Sequence, residues 1–277
     1  MRLIHLVCLP ALLVACTDPP LPERLDEPDV AISASCAEGT TEVSVAGTVI
    51  DHTTGVPVAG ATVDITEAWA AAQSFPASGC RMARLTTDAS GRFGPIMVKT
   101  YDSTPIMVML VTGGGRAPTI ADRRVGCFFG CTGIDETIAA PSEALAMSWR
   151  EELYAGGMPY ALNRGLVAFT FLDSVDAPAS GVSVKRMRDT GLDATNGLDL
   201  DIHALPLGTE GRFLSADGME LEKPDHDTTT YSGSLLAGSE DAKTGYFRIG
   251  GDKGIVHWPS VGVMVATGWI YVETGHP

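Results

Sequence analysis

The chain of 277 residues carries 34 acidic side chains against 19 basic ones, a formal net charge of −15. That balance excludes the basic footprint that nucleic-acid binders need, and it repels anionic membrane surfaces. Six cysteines, five of them behind a leading apolar run, point instead to an exported protein.

Arg2 supplies a short positive start and Leu3 to Leu13 form an almost unbroken apolar run, too short to span a bilayer as a helix and of the length of a secretory signal peptide. The run ends in Leu13-Val14-Ala15-Cys16, which resembles the bacterial lipobox. The resemblance implies that Cys16 receives diacylglycerol before cleavage and that acyl chains such as palmitate anchor the mature protein, since two or more chains hold stably. Thr17 stands where an aspartate would signal inner-membrane retention, which favours the outer membrane. Loss of residues 1–15 removes Arg2 and no acid, so the mature chain is one unit more acidic.

Residues 17–35 read as a tether. Pro19, Pro20, Pro22 and Pro28 lie among Asp18, Glu23, Asp26, Glu27 and Asp29, a composition that builds no core and favours extended conformations. At about 3.1 Å per residue it reaches about 50 Å from the lipid surface. With Cys8 in the signal and Cys16 acylated, Cys36, Cys80, Cys127 and Cys131 remain as candidates for two disulfides in three possible connectivities. Three residues separate Cys127 from Cys131, one too many for a Cys-x-x-Cys redox motif.

From Val43 to Val49, apolar residues alternate with small or polar ones at the period of a half-buried strand. Asp51, Gly55 and Pro57 mark a turn, and a second strand starts after Gly60, running through Val63 to Ile65. Asp88-Ala-Ser-Gly91-Arg-Phe93 is a glycine turn followed by an aromatic aimed at the core. Ile96 to Lys99 and Pro105 to Thr112 are further strands. Gly113-Gly-Gly-Arg116 closes the second of these as a plain turn, since no helix or Lys-Ser pair follows it as a phosphate loop requires. Pro141 to Tyr154 is predicted as a helix capped by Ser142, with Leu145, Trp149 and Leu153 on one stripe and Gly156-Gly157 at its end.

After the helix the first pattern recurs. Gly165 to Asp173 repeats the strand, Pro178 the turn, Gly181-Val-Ser-Val184 the second strand, and Thr209-Glu-Gly211-Arg-Phe213 the aromatic turn. Asp51 to Gly91 spans 40 positions and Asp173 to Gly211 spans 38, so two units of one kind are expected. Thr230 to Ala237, Gly245 to Ile249 and Val261 to Val272 are predicted strands, the last being the longest and placed centrally as the closing strand. Trp269 within it is assigned to the core.

The segments "GTVIDHTTGVPVAGATVDI" and "TTDASGRF" resemble the carboxypeptidase regulatory-like domain, a transthyretin-like β-sandwich of about seven strands. The likeness extends over residues 43–112 and is weaker over 164–273. It implies a non-catalytic sandwich of exported proteins, and no substrate. The expected architecture is all-β: two tandem antiparallel β-sandwich domains of transthyretin-like or Ig-like type, joined by one helix-containing linker. The divisions are a signal peptide over 1–15, a lipidated tether over 16–35, a regulatory-like sandwich over 36–137, a helical linker over 138–160 and a divergent second sandwich over 161–277.

No His-Glu-x-x-His, Gly-x-Ser-x-Gly or phosphate loop occurs, so no catalytic residue is assigned. Weaker candidates remain. Trp258, with His257 in the His257-Trp258-Pro259 loop, offers an indole on which a sugar ring would stack. Asp193, Asn196, Asp199 and Asp201 gather hard oxygen donors of the kind calcium takes, without the spacing of a known calcium loop. Asp225-His226-Asp227 reads as a solvated acidic turn. Three functions follow: a binding or scaffold lipoprotein facing an envelope protein or surface polymer, a carbohydrate-binding surface lipoprotein built on Trp258, and a hydrolase in which His203, His226 or His257 meets acidic residues in a pocket.

Overall fold

The computed structural model describes residues 39, 41–67, 81–100, 106–126, 131, 133–155, 165–175, 177, 179, 181–188, 202–207, 234–239, 244–266 and 268–277. Their strands in chain order are β1 Thr41–Asp51, β2 Ala61–Glu67, β3 Ala83–Thr86, β4 Arg92–Thr100, β5 Ile106–Gly113, β6 Arg116–Arg124 and β7 Ile134–Ala140. Helix α1, Glu143–Ala155, follows. After it come β8 Leu166–Phe171, β9 Ser183–Arg188, β10 Ile202–Leu207, β11 Ser234–Ser239, β12 Thr244–Lys253, β13 Val256–Ala266 and β14 Ile270–Gly275.

The chain is an all-β sandwich protein in which four strand pairings of the first unit recur in the second. In the first unit β1 pairs antiparallel with β4 and parallel with β7, while β2, in the facing sheet, pairs antiparallel with β3 and β5, and β5 with β6. In the second, β8 pairs antiparallel with β11 and parallel with β14, while β9 pairs antiparallel with β12, and β12 with β13. Four pairings thus recur and the edge strand differs, since β3 pairs with β2 whereas β10 pairs with β11. Of the second copy of the sequence repeat, Pro178 and Thr209-Glu-Gly211-Arg-Phe213 lie outside the described residues.

The two units share a sheet. Strand β14 also pairs parallel with β6, which fuses the second sheet of one unit with the first sheet of the other into eight strands, ordered β10-β11-β8-β14-β6-β5-β2-β3. Sheets β4-β1-β7 and β13-β12-β9 complete the two sandwiches. Only two residue pairs, Ile270 with Thr119 and Tyr271 with Ile120, register across this joint, against six between β14 and β8.

Alternation along the strands fills the core. Val43, Val45 and Val49 of β1 meet Val63 and Ile65 of β2 and Met107, Met109 and Val111 of β5, and the same cluster takes in Leu166, Ala168, Ile270 and Val272 from the second unit. Phe93 is 2% exposed, as its place after the Gly91 turn predicts.

The helix begins where Ser142 caps it, its Oγ accepting from Leu145 N–H at 3.1 Å. Trp149 is fully buried in the core cluster and Leu145 packs against it. Thus α1 is seated on the sandwich through Leu145 and Trp149 of the predicted stripe, the side chain of Leu153 lying outside the described residues.

One strand expectation is corrected. Val261 to Val272 is two strands rather than one, because Gly268 takes φ +80°, a backbone conformation that cannot continue a pleat. The half after the break is the central strand that joins the units.

Candidate functional site

Each turn after the first strand of a unit is built on an aspartate. Asp51 Oδ1 accepts from the N–H of Thr53 at 3.0 Å, the N–H of Thr54 at 2.8 Å and the Thr54 hydroxyl at 2.9 Å. Asp173 Oδ1 accepts from Val175 N–H at 2.9 Å and Ala177 N–H at 3.0 Å. These donors hold both carboxyls below the usual carboxylate range, against the opposing effect of desolvation, the largest single influence on Asp51. Asp51 is further paired with the Arg116 guanidinium.

Asp51, Thr54, Val56, Pro57, Val58, Ala59, Gly114 and Arg116 line an open depression of about 350 Å³ at the end of the first unit. Beside it, Arg116 Nε and His52 Nδ1 are buried with no hydrogen-bond partner among the described residues. His52 stands edge-on to Trp149 with ring centroids 5.3 Å apart, and burial depresses its pKa. Among the described residues that line the depression, the one cation, Arg116, already pairs with Asp51, which leaves little net charge there with which to select an ion.

A second polar cluster lies at the joint between the units. Tyr271 of β14 is fully buried, and its hydroxyl is 2.7 Å from Asp122 Oδ1 on β6 and 3.2 Å from Glu273 Oε2. Burial pushes the Asp122 carboxyl up to about 6 and Glu273 up to about 7, and raises the Tyr271 phenol. Arg123, next along β6, donates from Nε to Glu136 Oε2 at 2.8 Å. Composition and motif reading missed this cluster because Tyr271 and Asp122 are 149 positions apart. The one local signal is that Asp122 and Glu273 are acids placed inside apolar strands.

The remaining pairs among the described residues hold the fold. Arg84 grips Asp64 through two 2.7 Å hydrogen bonds, with Arg81 also 3.7 Å away. Thr87 Oγ1 accepts from Ala61 N–H and donates to Val58 O.

Of the residues singled out from sequence, Trp258 requires a correction. It is 2% exposed, its Nε1–H donates to Leu172 O at 2.6 Å, and its ring meets Phe171 edge-on at 6.0 Å. An indole in that position braces the second unit and has no free face for a sugar. His257 beside it is exposed and lies 2.6 Å from Asp252 Oδ1. Trp269, assigned to the core, is 1% exposed. Cys131 packs, partly buried, against the first core. Cys16, Cys36, Cys80 and Cys127, the Asp193, Asn196, Asp199 and Asp201 group and Asp225-His226-Asp227 lie outside the described residues, and of His203 only the strand position in β10 is described. Among the described residues no three His, Cys, Asp or Glu side chains gather as a metal site requires, and no helix is long and apolar enough to cross a membrane.

No protein-family model matches this chain, and no curated protein does. Among solved structures it is similar to the Bacillus anthracis TIE protein, with 10% identity, 84% of this chain and 33% of that one covered, and a TM-score of 0.28. It is similar also to the shaft pilin SpaA from Lactobacillus rhamnosus GG, with 10% identity, 86% and 97% covered, and a TM-score of 0.24. A Streptococcal ancillary pilin gives 10% identity, 85% and 69% covered, and a TM-score of 0.25. The chain thus spans a third of the length of the TIE protein. Overlaps of this size assign neither family nor role.

Proposed function

We propose that this chain is a non-catalytic cell-envelope lipoprotein. It is held in the outer membrane by acyl chains on Cys16 and serves as a binding or scaffold module for an envelope protein or a surface polymer. The observation that carries the reading is Leu13-Val14-Ala15-Cys16 followed directly by an acidic, proline-rich tether. An anchor and a spacer put whatever follows at a distance from the membrane, and here a pair of fused sandwiches follows.

The carboxypeptidase regulatory-like character assigned to each unit is part of the same proposal. Its support is the recurrence of the Asp51 turn at Asp173, with Gly60 and Gly181 both at left-handed φ of +74° and +72° behind it. The carbohydrate alternative loses the residue on which it rested, since Trp258 is buried.

The test is crosslinking in living cells of the tagged full-length protein, with a Cys16→Ala control and metabolic labelling with an alkyne fatty acid. Label on the wild type and not on the control, with one partner captured by the anchored form alone, supports an adaptor. Equal label on both removes the anchor, and equal capture removes its role in placing the module.

A further inference from the structure

We infer that Asp122, Tyr271 and Glu273 form a proton-dependent clasp across the joint of the two sandwich units. One proton shared between the two carboxyls closes it, and loss of that proton loosens the pairing of β14 with β6.

The geometry sets the proton count. A phenol has one hydrogen, yet the Tyr271 oxygen is within hydrogen-bond distance of a carboxyl oxygen on each side, at 2.7 and 3.2 Å. If the phenol donates to Asp122, the second contact is satisfied only when Glu273 is a carboxylic acid donating to the phenol oxygen. With both carboxyls ionised, a desolvated carboxylate faces lone pairs instead of a donor, and two negative charges stand on either side of one ring.

Among the described residues the nearby cations offset this charge only in part, since Arg123 and Arg124 favour the ionised forms and burial outweighs them. On β6 the neighbouring cations are Arg123, committed to Glu136 of β7, and Arg124. On β7, Asp135 pairs with Arg92. Across β5, Val108 stands opposite Asp122 and Met107 opposite Arg123, and across β8, Phe169 stands opposite Glu273. From the side of β13, His257 is turned to Asp252. Thr274 N–H gives Glu273 one donor, at 3.1 Å to Oε1.

The place of the cluster gives it leverage. The joint registers through two residue pairs, one of which is Tyr271 with Ile120, so the side chain that carries the clasp sits on half of that ladder. The opposite face of β14 is apolar, with Ile270 and Val272 in the shared core. The joint is therefore hydrophobic on one face and protonic on the other.

The sign follows from the direction of the carboxyl shifts. Both are raised, so the folded chain holds more protons than the unfolded chain between the ordinary carboxylate range and neutrality, and the stabilisation is lost as pH rises through about 6 to 7.

Hydrogen exchange of the mature full-length chain, corrected for intrinsic rates, tests the clasp at about pH 5 and about pH 8. Amides of 119–121 and 270–272 are expected to lose about tenfold or more of their protection at the higher pH, while those of 43–49 change little. In Glu273→Gln, which cannot ionise, the difference between the two pH values disappears. Asp122→Asn serves as the second variant if the first does not fold. Equal joint protection of the wild type at both pH values overturns the proposal, as does a wild-type pH dependence that persists in the folded variants.

Discussion

Asp51 and Asp173 occupy the same place in two copies of one turn. Each backbone N–H donates across the turn, to Val56 O and Ala177 O, and the residue two before each accepts from the far side: Val49 O from Val58 N–H, Phe171 O from Ala179 N–H. What separates them is Arg116, which pairs with Asp51 alone.

Replacing each by alanine is expected to lower the melting temperature in both cases, and further for Asp51→Ala, because that change also strands a guanidinium whose Nε already lacks a partner. Both carboxyls are held ionised, so these contributions are present above the ordinary carboxylate range and fade as pH falls below it. Melting curves of the two variants across acid pH decide it. An equal effect of the two substitutions would show that the Arg116 pair contributes nothing.

Gly91 turns at φ +74°, and a Cβ there would lie 2.5 Å from Val49 O. Gly91→Ala is expected to cost about 2 kcal/mol or more in urea denaturation, since backbone strain and a backbone clash add. A cost within about 0.5 kcal/mol, the range of an ordinary surface change, would mean that the turn is not held as described.

Trp258→Ala is expected to destabilise by about 3–5 kcal/mol, the range for emptying a buried aromatic site. The Leu172 carbonyl loses its donor as well. Urea denaturation is the check. An unchanged midpoint would return the indole to the surface and reopen the sugar-binding reading.

His52 is largely buried with its pKa depressed by desolvation. The unfolded chain therefore takes up the proton first, and stability falls as pH drops below about 6.5 towards the lower folded value. The melting temperature of the wild type minus that of His52→Gln is expected to shrink across that window. A difference that stays constant with pH would place the imidazole in water.

Cys131 against the core is proposed to be bonded to one of Cys36, Cys80 and Cys127. Peptide mapping of the unreduced, exported protein is expected to recover Cys131 in a crosslinked pair. Alkylation of Cys131 without prior reduction would remove the disulfide assignment.

Much of the fold was legible because it is written in short-range patterns. The alternation of Val43, Val45 and Val49, the Asp51 and Gly91 turns, the Ser142 cap and the Trp149 stripe depend on neighbours a few positions away, and each is found where those patterns put it. The break at Gly268 was local too, but a glycine in an apolar run reads equally as a bulge or as an end. The Trp258 loop was misjudged because it is the second edge of a hairpin, and its burial comes from Phe171 and Leu172, far back in the chain.

The sequence by itself determined the alternating strands and glycine turns of the first unit and the core side chains they carry, since turn and alternation are properties of contiguous residues. Only the tertiary structure decided that β14 pairs with β6, that the two sandwiches share one sheet and that Asp122, Tyr271 and Glu273 meet. Period-two alternation states which face of a strand is buried without naming its neighbour, and a carboxyl's protonation depends on desolvation and on partners that arrive only when the chain closes.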